Sequence, residues 1–236
     1  MTKLVRSAAV GCLFLGVLAV TTTALGQTGQ NIGEQIAETY GLGRFGQIDA
    51  IRYTFNAQFL GLDLSRSWVW QPKTGQISYE GKDKDGNPVK ATYVEDQLGS
   101  APTNVKDVIE PAFVNDKYNL LFPLQFYWDG AAARDMGEQK LPLGSGSAKK
   151  VVVDYSPGDV WDLYVGPDNR IVQFEFHRGG PRKPTLVIAT WEGYKKAGPL
   201  SIATDRRGTA DGQPLRIYMT NLAVKLTGSD AWIDAQ

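Results

Sequence analysis

Between residues 48 and 226 the chain keeps returning to a hydrophobic alternation of period two, interrupted at short intervals by turn formers. That rhythm dictates its architecture. Ile51, Tyr53, Phe55, Ala57 and Phe59 alternate with Arg52, Thr54, Asn56 and Gln58, placing the apolar side chains on one face of a half-buried strand. Leu64, Arg66, Trp68 and Trp70 continue in a second strand. After Pro72-Lys73-Thr74-Gly75, Ile77 and Tyr79 carry a third, and the turn-rich stretch 82–87 leads to Val89, Ala91 and Tyr93. The later half repeats the pattern over 151–155, then through Trp161, Leu163 and Val165, then Val172, Phe174 and Phe176, and over 186–191, 200–204 and 215–226. Turns rich in Gly, Pro and Asp join these runs. The gaps are too short for the helical crossovers that parallel strands require. The reading is a mainly β domain of antiparallel hairpins.

Three stretches depart from the rhythm. Ile32, Ile36 and Tyr40 recur at helical spacing and Gly41 follows, which predicts a short helix over 31–40. Thr103 or Asn104 can cap a helix through Val105, Val108 and Ile109, and Pro111 opens a second piece with Phe113, Tyr118 and Leu121. Pro123 is expected to close it. Leu124, Phe126 and Trp128 then alternate as a strand, and 130–147, with its Gly144-Ser145-Gly146-Ser147, reads as a surface loop. Nothing divides the halves more sharply than that loop, so residues 27–236 are expected to form one domain.

Residues 1–26 have the form of an export signal. Lys3 and Arg6 give a positive start, residues 8–20 an apolar core, and Ala24-Leu25-Gly26 small residues before a cut ahead of Gln27. Removing 26 of 236 residues leaves 210, with 23 basic against 25 acidic side chains. That balance lacks the basic excess of a nucleic-acid binder. No transmembrane span is expected in the mature chain, which is expected to be periplasmic or secreted. Cys12, the sole cysteine, would leave with the signal, removing disulfides and thiol chemistry.

Asn115-Asp116-Lys117-Tyr118-Asn119-Leu120-Leu121-Phe122-Pro123, with Trp68-Val69-Trp70, Asp162-Leu163-Tyr164-Val165 and Trp191-Glu192-Gly193-Tyr194, resembles periplasmic proteins of the lipoprotein-carrier fold. That group includes the outer-membrane lipoprotein-sorting carriers and related uncharacterised exported proteins. The resemblance implies a curved antiparallel sheet, a half-barrel, covered on its concave face by short helices over most of 45–226. It implies no catalytic residue.

The motifs that suggest chemistry meet obstacles. Gly41-Leu42-Gly43-Arg44-Phe45-Gly46 fits a dinucleotide-binding pattern, but a helix precedes it and a strand follows, the reverse of what pyrophosphate binding needs. Asp83, Asp85 and Asn87 match the start of a calcium loop, yet Pro88 and Val94 stand where that loop needs glycine and glutamate. Glu175 and His177 share one face of a strand. A zinc site there would need carboxylates or other ligands from elsewhere, so the sequence assigns no metal and no cofactor. Asp159 and Asp162 bracket Trp161 and Asp129 follows Trp128, a carboxylate–aromatic mix seen in glycosidases.

The expected ligand-binding surface is aromatic: Tyr53, Phe55, Phe59, Trp68, Trp70, Phe126, Trp128, Phe174, Phe176 and Trp191, all placed on inward strand faces. Such a set either fills a closed core or lines a pocket for an acyl chain or other apolar ligand. Arg52, Arg66 and Lys117 could meet an anionic head group or be ordinary surface charges. The preferred reading is non-enzymatic binding or carriage of an apolar, lipid-like ligand in the cell envelope, beneath a lid over 103–123. The alternatives are an envelope hydrolase using Glu175 and His177 or the aspartates near Trp161, and a structural partner of an envelope protein. An open cavity under 113–123 favours carriage; a filled one favours the structural role.

Overall fold

The computed structural model describes residues 31–155 and 158–236; the expected export signal lies outside the described residues. Helix α1 (Ile32–Thr39) begins where Asn31 Oδ1 accepts the Glu34 amide at 2.9 Å, an N-cap that satisfies one of the free amides of the first turn. It ends at Gly41, whose φ of 105° suits glycine alone. A 3₁₀ turn over 42–47 leads into β1 (Ile48–Phe59). The glycine-rich segment therefore joins helix to strand, in the order that argues against nucleotide binding.

β1, β2 (Leu62–Gln71), β3 (Gln76–Lys82) and β4 (Pro88–Val94) form the expected meander. In the calcium-like turn, Asp83 accepts the Asp85 and Asn87 amides and the Asn87 side chain. These donors hold its carboxyl below the usual range, and the turn satisfies itself. After a π-helical stretch over 105–109 comes α2 (Glu110–Trp128). Residues 124–128, expected as a strand, are the end of this helix. Pro123 does not close it. It sits inside, two residues after a break at Leu121 (φ −120°, ψ 20°), and bends the helix because it has no N–H to give to residue 119.

β5 (Ala132–Lys140) occupies part of the expected loop, followed by β6 (Ser147–Tyr155), β7 (Asp159–Val165), β8 (Ile171–His177) and β9 (Leu186–Thr190). β10 (Glu192–Ala197), β11 (Leu200–Ala210), β12 (Gln213–Leu226) and β13 (Trp232–Asp234) complete the chain. Among the described residues, all strands pair antiparallel in one 13-stranded sheet of order β4-β3-β2-β1-β12-β11-β9-β8-β7-β6-β5, with β10 beside β11 and β13 beside β12. β12 joins the two meanders. β4 and β5 do not meet, so the sheet is open, a half-barrel whose apolar face is covered by helices, as expected. The β5 edge is kinked: its register with β6 shifts between Asp135 and Glu138, where Gly137 has φ 73°.

Candidate functional site

Alternation along β1 and β2 turns Tyr53, Phe55, Trp68 and Trp70 toward α2, and alternation along β8 does the same for Phe174 and Phe176. All six are buried, as is Trp191 at the β9–β10 junction. Phe126 is buried too, but it reaches the hollow from the helix and not from a strand. Trp128 ends the same helix, 39% exposed, and packs edge-on against Phe45 with ring centroids 4.6 Å apart. Phe59 lies apart from the rest, beside exposed Leu60 and Leu62 in a surface groove of about 480 Å³ at the β1–β2 hairpin. A second groove, about 710 Å³, is lined by Arg52, Thr54, Ser67 and Ser78, the residues that alternate away from the aromatic face.

The hollow is occupied by the protein's own rings. Phe113 enters from α2 against Trp68 and Trp70, with centroids at 5.3 and 5.9 Å. Immediately after the helix break at Leu121, Phe122 lies 4.2 Å from Trp161 and 6.3 Å from Trp191. Trp161 in turn packs on Phe174 and Phe176.

Two polar nodes fasten α2 to the sheet. In the first, Asp116 is fully buried. Arg66 donates to both its oxygens, Nε at 2.7 Å and Nη2 at 2.5 Å, and Trp68 Nε1 donates at 2.9 Å. Burial nonetheless outweighs the guanidinium and raises the carboxyl above its usual range. In the second, Arg206 is 1% exposed and has no carboxylate within salt-bridge distance among the described residues. Its guanidinium stacks 3.8 Å from the Trp191 ring centroid, and Nη2 donates to the Asn119 carbonyl. That carbonyl is the one Pro123 leaves without its helical donor, so the bend creates the acceptor that the arginine uses. Burial lowers the Arg206 pKa to about 10. Arg206 Nε, Trp191 Nε1, Trp70 Nε1 and Tyr53 Oη have no hydrogen-bond partner among the described residues. All four belong to the face beneath α2.

The remaining expected residues divide clearly. Arg52 pairs with Asp234 at the surface and stacks on Trp232; Lys117 pairs with Glu95 at 3.5 Å and lies over Trp70 and Phe113. Asp129 accepts from Tyr118, Tyr155 and Gln125 at the end of α2, and Asp159 accepts the Gly179 amide. Asp162 does join Glu175 and His177, on the face opposite the aromatic hollow: β7–β8 register sets Asp162 directly across from Glu175. Neither the buried state of Asp116 nor any role for Arg206 is evident from the alternation pattern of the sequence. The available signals were an arginine in phase with Ile202 and Thr204, and a proline four residues after Asn119.

No family model matches the chain, and no curated protein matches it. Solved structures do resemble it. A DUF1329 family protein from Desulfovibrio piger is 10% identical, with a TM-score of 0.47 over 85% of this chain and 94% of that one. A domain named for outer-membrane lipoprotein sorting, from Vibrio parahaemolyticus, is 12% identical, with a TM-score of 0.44 over 84% and 92%. A LolA-superfamily protein from Nitrosomonas europaea is 12% identical, with a TM-score of 0.42 over 84% and 94%. At this degree of likeness, what those proteins bind or do does not pass to this chain. Among the described residues no helix is long and apolar enough to cross a membrane.

Proposed function

We propose that this protein is an exported, non-enzymatic binder or carrier of a lipid-like ligand, which enters between the aromatic face of the sheet and α2 when the helix lifts. One observation carries the reading. Beneath a bent helix lies an apolar surface with a buried guanidinium that no carboxylate among the described residues neutralises, and with indole and guanidinium N–H groups that have no acceptor among those residues. A molecule with an apolar body and an oxygen-rich head would bury its chain against the rings, at roughly 0.8 kcal/mol per methylene. Its head would supply the acceptors that these donors lack. The arrangement described above is then the closed form, in which Phe113 and Phe122 hold the ligand's place. The bend at Leu121 and Pro123 is the natural hinge, because the helical hydrogen-bond ladder is already interrupted there.

The test is uptake. Purified protein incubated with phospholipid vesicles should be recovered with lipid bound, seen by native mass spectrometry. Absence of bound lipid, both from vesicles and on isolation from the cell envelope, would reject carriage. The filled hollow supports a second reading, a structural partner in an envelope complex. Recovery of a stoichiometric envelope protein with no small ligand would establish that reading instead.

A further inference from the structure

The outer face of β6, β7 and β8 carries a cluster that the lipid-binding reading does not use. Antiparallel strands usually avoid like charges directly opposite one another, yet Asp162 faces Glu175 across β7 and β8. Both carboxylates are held in place by neighbouring side chains. Lys150 Nζ lies 2.7 Å from Asp162 Oδ2, and the Tyr164 hydroxyl donates to Glu175 Oε2 at 2.8 Å. His177, the only histidine in the 236-residue chain, brings Nε2 to 3.3 Å from the same Asp162 oxygen. One ligand-type atom from each of Asp162, Glu175 and His177 lies within 4.8 Å of the others.

We propose that Asp162, Glu175 and His177 form a binding site for a divalent first-row transition metal, Zn²⁺ above all. An imidazole selects zinc and its neighbours over calcium and magnesium, which take oxygen ligands alone. The two carboxylates balance the charge of the ion. In a tetrahedral zinc site, ligands about 2.0–2.1 Å from the metal stand about 3.4 Å apart. The histidine–aspartate edge already has that length, so the site forms by a small inward movement of Glu175. Asp162, buried, is the fixed member. His177, with a side chain 47% exposed, leaves the fourth position open to water. Tyr164 plays the part of the outer hydrogen-bond partner that orients a ligating carboxylate. Lys150 is the resident cation and competes directly with the metal for Asp162, which gives the proposal its sharpest consequence.

The experiment is calorimetric titration of untagged, chelator-dialysed protein with ZnCl₂ near pH 7.5. One saturable ion per chain is expected, with a Kd on the order of micromolar. His177→Ala and Glu175→Gln should each weaken binding at least tenfold, and Tyr164→Phe by about tenfold. Lys150→Met should tighten it severalfold by removing the competing ammonium. The proposal is overturned if no saturable binding occurs up to about 1 mM Zn²⁺, or if binding survives His177→Ala undiminished. Circular dichroism reports whether each variant is folded. If His177→Ala fails to fold, Glu175→Gln and Lys150→Met decide, and an affinity unchanged in both refutes the site.

Discussion

The Asp116–Arg66 node gives the most exacting test of how α2 is held. Asp116→Ala removes the acceptor of four hydrogen bonds, two from Arg66, one from Trp68 Nε1 and one from Asn115 Nδ2. It also leaves a mostly buried guanidinium without its carboxylate. Breaking a buried pair from one side costs about 3–5 kcal/mol; the partial exposure of Arg66 places the expectation near 3. With a urea m-value of about 3 kcal/mol/M for a domain of this size, the unfolding midpoint should fall by about 1 M. Replacing both partners with apolar groups, Arg66→Met with Asp116→Leu, should recover most of that loss. What remains is about 1 kcal/mol for the indole N–H left without an acceptor. A native-state rise in binding of an apolar dye should accompany the single substitution and be smaller in the double. A midpoint for Asp116→Ala within about 0.3 M of the parent would refute the view that this node fastens the helix, as would a double variant weaker than the single one.

The same group predicts a pH dependence. Burial raises the Asp116 carboxyl above its ordinary value of 3.8, so the folded chain keeps that proton to a higher pH than the unfolded chain. The proton-linked part of its contribution to stability is therefore fullest below pH 3.8 and is lost as pH rises through the native titration; the urea midpoint of the parent relative to Asp116→Asn should fall over that range. Phe122→Ala, which empties the middle of the Trp161–Trp191 stack, should cost about 3–5 kcal/mol by urea unfolding. Gly208→Ala should prevent β9 from pairing with β11, since a Cβ there would stand 1.8 Å from the Ile188 carbonyl oxygen; a thermal midpoint within a few degrees of the parent would contradict this. Asn31→Ala, which removes the α1 cap, should cost about 1 kcal/mol and leave the far-ultraviolet spectrum nearly unchanged.

What could be read from the sequence was what repeats. The alternation from Ile51 to Phe59 and from Trp161 to Phe176 reports a sheet with one apolar face, because side-chain direction in a strand follows position directly. β5 escaped notice because Ala132–Lys140 is exposed almost throughout and shows no apolar alternation. It is a strand by virtue of backbone pairing with β6, and an edge strand has little apolar burial to advertise. Leu124, Phe126 and Trp128 misled for the opposite reason: a helix surrounded by apolar surface can show any spacing, and Pro123 looked like a terminator when it is a bend. The two nodes beneath α2 were out of reach because each joins residues far apart in the chain, Arg66 with Asp116 and Asn119 with Arg206. Only the fold brings them together. The meeting of Asp162 with Glu175 and His177 likewise depends on the β7–β8 register.

The kink at the outermost strand has a consequence for how these molecules coexist at high concentration. At the two ends of its strand order, an unclosed sheet offers rims of unpaired amides and carbonyls, each a template on which another chain could continue the ladder. At the β5 rim the shift between Asp135 and Glu138, with Gly137 in a left-handed conformation, interrupts that template midway. Arg134, Asp135, Glu138 and Lys140 would force any approaching strand to accommodate charges of both signs. At the other rim, β4 opens with Pro88, which has no amide to offer, and carries Lys90. A half-barrel armed in this way can remain open without polymerising through these two rims.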